Sequence, residues 1–544
     1  MTKLFPRIIS LFCLLIGLKF ANSRGHDHPD LIDLWYAKHI PTFENTTSAN
    51  ATLLSYNNIR YAEPPLGWKR FRKPQTPPPY QHKIQNGDLS SWETDCLSSA
   101  PVGVPFPLLS GLTWGSEDCL FLNVVVPKGV KEGDKVPVLH WVVGSAYAFG
   151  GKDWVGFGLN AYGLFNQPLN LTDRFIIVTH NYRLGVPGWL PKLDEDMNGN
   201  LGVWDTLAAV EWTKKYIHKF GGDPENITVF GQSAGAAIIT WLLLAREGNM
   251  VLPFQQAWVA SPTIAPRKNL ERSRPLFDEV LNFTGCHSVE CMRQLPASTM
   301  RDVNKHILIE STSGPGGGSL GFGVGLTPTI DGELVSDLPV NTFAAGKFNK
   351  KVKVVVGNTM LEGLGLSSDR NMPNRFAEIV RANLPNVTNE SIALLQSLYP
   401  YSPELPEYLA WAFITDIIWT CTVTNIAHAY GDKARRFLFS VPPSTHGLDL
   451  SYFFFADNST TPVVSLKTAY AAESTLLQYM FRRDFPSNPK ALYAGPISEW
   501  KSFAENGTIA NITVDGFEFA LVGQDLIKRC ETINELIRDP LNGV

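Results

Sequence analysis

Seven apolar runs divide the middle of this chain: FLNVVVP from Phe121, VPVLHWVV from Val136, RFIIVTHNY from Arg174, ITVFG from Ile227, QQAWVAS from Gln255, KVKVVVGN from Lys351 and ARRFLFSV from Ala434. Each run is continuous rather than alternating, which is the pattern of strands buried on both faces. Helix-like segments separate them. Strands covered on both faces and alternating with helices predict an α/β fold with a mostly parallel central sheet.

The most informative neighbourhood is DTLAAVEWTKKYIHKFGG, followed by ITVF, GQSAG and AAIITWLLLA. Asp205 reads as the N-cap of an amphipathic helix with Ala209, Trp212, Tyr216 and Phe220 on one face, ending at Gly221 and Gly222. A short β-branched strand then runs through Gly-x-Ser-x-Gly straight into an apolar helix. That order is what a nucleophile elbow requires, because a serine in a tight strand-to-helix turn tolerates only small flanking residues, here Gly231 and Gly235. The amides at the helix N-terminus also face any developing anion. The alternative is an ordinary glycine turn with no chemistry.

A serine hydroxyl needs a base to take its proton and an acid to orient that base. In the α/β-hydrolase chain order both follow the serine, acid before histidine. Four histidines follow Ser233. His287 lies between two close cysteines and His428 in a helix-like stretch. His446, in the loop PPSTHGLDL after a strand, is the candidate base. Glu362, in TMLEGLG after KVKVVVGN, is the candidate acid, with Asp331 in PTIDGE as runner-up.

The N-terminus bears on compartment. Lys3 and Arg7 precede an apolar run from Ile8 to Phe20, which ends in Ala21-Asn22-Ser23. This reads as a secretory signal peptide over residues 1–23, with one large domain over 24–544. A membrane anchor is the alternative, but the run is shorter than the ~20 apolar residues a span needs. No other segment reads as transmembrane, and the C-terminus lacks the hydrophobic tail of a lipid-anchor signal. Losing Lys3, Arg7 and Lys19 makes the net charge of −4 three units more negative, without a basic cluster, so nucleic acid is excluded as a partner. Six cysteines remain beyond Cys13, which suits an oxidising compartment, and spacing favours only Cys286 with Cys291. Asn-x-Ser/Thr acceptors at Asn45, Asn50, Asn170, Asn226, Asn282, Asn386, Asn389, Asn458, Asn506 and Asn511 agree with a secretory route, although Asn226 precedes a buried strand. The glycine-rich stretch at 313–325 lacks the Lys-Ser/Thr of a phosphate loop and reads as a surface or gorge-edge loop.

The ordered segments IRYAEPPLGWKRF, SEDCLFLNV, NYRLGVPGWL, GNLGVWD, FGGDPENITVFGQSAGA, GNTMLEG and HGLDLSYFF resemble the type-B carboxylesterase and lipase family, which includes the cholinesterases. The resemblance covers nearly the whole mature chain. It implies an α/β-hydrolase fold and a triad of Ser233, Glu362 and His446. It also implies that Cys96 pairs with Cys119, Cys286 with Cys291, and Cys421 with Cys530. The two-step ester hydrolysis it implies needs no metal or organic cofactor.

Two departures matter. The family's oxyanion loop reads His-Gly-Gly-Gly-Phe, whereas the matching stretch here is VGSAY, Val143 to Tyr147. Serine and alanine keep their amides but resist a positive φ, at a cost of about 1 kcal/mol or more. The expectation is an oxyanion hole formed by the amides of Ser145, Ala146 and Ala234, with less room for bulky alcohol groups. Gln232 stands where cholinesterases have Glu, and Trp114 is too close to Glu117 to match their choline-stacking tryptophan, so choline esters are disfavoured. The leading expectation is a secreted carboxylic ester hydrolase acting on small-molecule or lipid esters. A lipase is open, with its lid in APVGVPFPLLSGLTWG (100–115). A non-catalytic adhesion or binding protein on the same fold is the reading from another class, and only the altered loop favours it.

Overall fold

The computed structural model describes residues 29–77, 83–102, 109–144, 146–153, 161–167, 174–265, 270–311, 326–364, 372–400, 404–459, 461–486 and 500–544. The leader, Ser145, Asn170, the stretch 313–325 and residues 103–108 of the lid segment lie outside them.

An eleven-stranded sheet organises the chain. Its strands are β1 (Phe43–Thr46), β2 (Thr52–Arg60), β3 (Phe121–Pro127), β4 (Val136–Val142), β5 (Ile176–His180), β6 (Gly222–Gln232), β7 (Gln256–Ala260), β8 (Lys353–Thr359), β9 (Ala434–Phe439), β10 (Thr508–Thr513) and β11 (Gly516–Leu521). The spatial order is β11-β10-β9-β8-β7-β6-β4-β5-β3-β2-β1. From β10 across to β5 every neighbouring pair is parallel, and the outer pairs on both sides are antiparallel. The seven apolar runs are β3 to β9. The strands not foreseen, β1, β2, β10 and β11, lie at the two margins of the sheet, where polar residues such as Asn57 and Asn58 interrupt the apolar signal.

Six helices matter for the site: α1 (Leu201–Tyr216), α2 (Ala234–Leu244), α3 (Tyr408–Thr415), α4 (Cys421–Tyr430), α5 (Leu466–Arg482) and α6 (Gln524–Arg538). Every residue of α2 is buried, as expected of a helix that is apolar all round. The predicted face of α1, Ala209, Trp212 and Tyr216, is also buried, and the chain leaves it through Gly221 at φ 89°. Asp205 is not its N-cap. The helix starts one turn earlier, after Asn200, and Asp205 is a buried partner of Arg183, whose Nη2 and Nε donate to its carboxylate at 2.7 and 2.8 Å. Its position before an apolar face imitated a cap, but a buried carboxylate is tolerated mid-helix when a guanidinium binds it in two places.

The helical run Tyr408–Lys433 is long and apolar enough to cross a membrane, but 72% of its apolar window is buried inside the protein. It belongs to a second apolar cluster in which Phe413, Ile417 and Trp419 meet Ile533 and Ile537 of α6. A disulfide from Cys421 to Cys530 ties α4 to α6 across this cluster, and the other two bridges join Cys96 to Cys119 and Cys286 to Cys291. All three pairings are those the resemblance implies. Asn226 lies inside β6 and is buried, so the folded chain hides that acceptor.

Candidate active site

Sheet order brings the candidate residues together. Parallel neighbours deliver their C-terminal ends to one edge, where open α/β sheets place their ligand sites. Along that edge follow Gly144 and Ala146 after β4, Ser233 after β6, Ser261 and Thr263 after β7, Glu362 after β8 and His446 after β9.

Ser233 occupies the turn between β6 and α2 at φ 58° and ψ −124°, a conformation that side chains larger than glycine rarely adopt. The turn closes so tightly that a Cβ on Gly235 would lie 2.1 Å from the carbonyl oxygen of Val142. Beneath it, Phe230 of β6 stacks on Phe454 at 5.2 Å and meets Trp141 of β4 edge-on at 4.9 Å. Such ring pairs contribute about 0.5–1.5 kcal/mol each beyond the area they bury. Because Phe453 and Phe454 lie just beyond His446, this packing also fixes the histidine's loop: Phe453 is fully buried against Trp258 of β7 and Phe437 of β9.

Three predicted residues form one hydrogen-bonded chain. Ser233 Oγ lies 2.8 Å from His446 Nε2, and His446 Nδ1 lies 2.5 Å from Glu362 Oε2. Glu362 is fully buried, and its other oxygen accepts from Ser261 Oγ and from the Thr359 amide, both at 2.6 Å. These donors fix the carboxylate and point its second oxygen at the imidazole. Asp331, the runner-up acid, accepts from Asn200 and from the amides of Glu333 and Leu334, so it stabilises a turn of its own. His306 contacts Glu279, and His428 is exposed on α4.

On the other side of Ser233 runs the oxyanion-loop stretch. Gly144 allows its close approach, since a Cβ there would meet the Gln232 carbonyl oxygen at 2.8 Å and Ser233 Cβ at 3.2 Å. Ala146 and Tyr147 take φ of 53° and 62°, the left-handed region the sequence predicts to be costly for non-glycine residues. Tyr147 holds this conformation at both ends, its carbonyl accepting from the Gly185 amide at 2.7 Å and its hydroxyl donating to the Thr263 carbonyl at 2.8 Å. Ala234 is the first residue of α2, where the amide has no acceptor within the helix.

Four neighbours were not singled out as site residues from sequence: Ser261, Thr263, Trp419 and Asp449. Trp419 sits on a π-helical turn, Asp416–Thr420, between α3 and α4, a local widening frequent at functional sites. Its ring lies 5.0 Å from the His446 ring, and its indole N–H donates to Thr263 Oγ1 at 2.9 Å. Asp449, three residues after His446, is fully buried, and among the described residues no side chain donates to its carboxylate, which has only the nearby backbone amides of its own turn. Burial first, and repulsion by Glu362 second, push its carboxyl up to about 7, against the attraction of His446. HGLDL was the available signal, but an aspartate one helical turn past a histidine is common on exposed loops. Trp114 is buried and donates to Asp95 at 3.1 Å. Among the described residues no group of His, Cys, Asp and Glu could hold a metal ion.

Known proteins are similar to this chain over most of its length. A family profile described as the carboxylesterase family matches residues 42–509. The carboxylesterase patB of Aspergillus clavatus is 29% identical over 521 residues, covering 86% of this chain and 90% of that protein. The cholinesterase of Mus musculus is 32% identical over 373 residues, covering 66% of this chain and 58% of its own. In fold, the crystal structure of Aspergillus niger EstA superposes with a TM-score of 0.76 at 24% identity, covering 93% of this chain and 98% of the other. This chain is an α/β-hydrolase that belongs to the carboxylesterase family, and its class of activity is carboxylic ester hydrolysis.

Proposed function

We propose that the chain is a secreted serine carboxylesterase in which Ser233, His446 and Glu362 carry a two-step hydrolysis through an acyl-enzyme. The observation that carries this reading is the pair of contacts at 2.8 and 2.5 Å, with a strained serine at one end and a buried carboxylate at the other. In acylation Ser233 Oγ attacks the ester carbonyl while His446 Nε2 takes its proton and returns it to the leaving alcohol. Glu362 holds the imidazole in the tautomer with Nδ1 protonated and stabilises the imidazolium. Water then repeats the attack on the acyl-enzyme, with His446 again as base. The tetrahedral oxyanion is received by the amides of Ala146 and Ala234.

Secretion is supported by the three disulfides and by the leader of the sequence. The part from 24 to 544 is read as one catalytic domain. A lipase is the second reading, because the apolar Val102 and Leu112 of the Cys96–Cys119 loop are exposed. A series of p-nitrophenyl esters of increasing acyl length, hydrolysed by the wild type and by Ser233→Ala, tests both. Loss of turnover in the variant with a preference for short acyl groups is the expected result. A preference for long acyl chains presented as droplets identifies a lipase, and undiminished turnover in Ser233→Ala overturns the nucleophile.

A further inference from the structure

The hydroxyl of Thr263 touches the oxygen of the nucleophile. Thr263 is buried after β7 and fixed at both ends of its backbone: its amide donates to the Ser233 carbonyl at 3.2 Å, and its carbonyl accepts from Tyr147. Its Oγ1 lies 3.2 Å from Ser233 Oγ. The direction of that hydrogen bond follows from its neighbours. An indole N–H can only donate, so Trp419 occupies a lone pair of Thr263 Oγ1, and the threonine hydrogen must point elsewhere. Two acceptors stand within reach, Ser233 Oγ at 3.2 Å and the Ser261 carbonyl at 3.4 Å. The hydrogen of Ser233 is directed to His446 Nε2, which leaves a lone pair of Oγ facing Thr263.

We propose that Thr263 is a fourth catalytic group, donating its hydroxyl hydrogen to Ser233 Oγ and supporting that oxygen as the leaving group when the acyl-enzyme is hydrolysed. The proposal rests on the acyl-enzyme reading above. In deacylation water adds to the acyl carbonyl and gives one proton to His446. As the intermediate collapses, the bond between the acyl carbon and Ser233 Oγ breaks and its electron pair goes to Oγ. Oγ takes the proton back from His446 Nε2, and the free acid departs. During that step charge builds on Oγ, where a donor helps. In acylation Oγ loses charge to the carbonyl, so the same donor gives no help. While Oγ is an ester oxygen and a poor acceptor, the threonine hydrogen turns to the Ser261 carbonyl, held in place by the Trp419 contact.

The two steps separate kinetically. For p-nitrophenyl acetate, kcat/KM reports acylation and kcat reports deacylation wherever a burst of p-nitrophenolate is seen. Stopped-flow on Thr263→Val, which keeps the branched shape and removes the hydroxyl, should show kcat lowered about five- to tenfold and kcat/KM changed by less than about twofold, as the loss of one neutral hydrogen bond implies. The burst should approach one nitrophenolate per protein, and Thr263→Ser should restore kcat. Equal losses in kcat and kcat/KM, or no loss in either, would overturn the proposal. If Thr263→Val does not fold, Trp419→Phe removes only the indole donor that orients the hydroxyl, and should give a smaller split of the same sign; its absence counts equally against Thr263. A folded wild type with neither burst nor turnover defeats the acyl-enzyme reading itself, and this inference with it.

Discussion

The side-chain amide of Gln232 stands 3.4 Å from His446 Nε2, immediately beside the nucleophile. Gln232→Glu places a second carboxylate at that distance, and an adjacent negative charge favours the imidazolium. The acid limb of the kcat/KM profile should move to higher pH, and cationic esters should gain relative to neutral ones. A pH profile and a pair of matched esters check this, and an unmoved limb would mean that the side chain turns away from the imidazole in solution.

Asp449 makes stability depend on pH. Its carboxyl titrates near 7 in the folded chain against 3.8 when exposed. Below the lower value it is neutral in both states and costs nothing. As pH rises through this window the unfolded chain releases the proton while the folded chain retains it, so folding loses stability until the higher value is passed. Asp449→Asn escapes that loss. Thermal melts should show its Tm advantage over wild type growing from pH 4 to pH 7 and levelling above, whereas a constant difference would contradict the assignment.

Ser261 holds the acid in place through the 2.6 Å hydrogen bond it donates to Glu362. Ser261→Ala leaves that oxygen with the Thr359 amide alone. A hydrogen bond to a charged group contributes about 1.5–3 kcal/mol, and part of this is recovered by rearrangement, so kcat/KM should fall about tenfold. The loss should be equal for short and long acyl esters. A loss that depends on acyl length would show that Ser261 lines the acyl pocket instead.

Ala146 carries the cost foreseen for the altered oxyanion loop, with φ at 53°. Ala146→Gly removes a methyl group and relieves a strain of about 1 kcal/mol. The variant should accept branched alcohol esters more readily at unchanged or slightly higher Tm. Unchanged selectivity would count against a steric role for this methyl.

The central strands β3 to β9 were legible because each is a continuous apolar run, and Ser233 because its elbow interrupts strand and helix at one point. Glu362 and His446 followed from strand ends and chain order. The rest depends on relations that sequence does not display. Asp205 imitated a cap because its partner Arg183 is 22 residues away. Ser261, Thr263 and Trp419 acquire meaning only when β7 lies beside β6 and the π-helical turn folds over them. They are ordinary residues in ordinary runs, and only adjacency turns their hydroxyls and indole toward the reacting atoms.

The central claim is that Ser233 is a nucleophile activated by His446, and covalent labelling tests it most directly. The purified protein would be treated with a fluorophosphonate, digested and read by mass spectrometry, beside Ser233→Ala and His446→Ala. The account predicts one adduct, on the peptide containing Gly231 to Gly235, absent in Ser233→Ala and formed orders of magnitude more slowly in His446→Ala. A folded wild type that takes no label, or takes it on another residue, would contradict it.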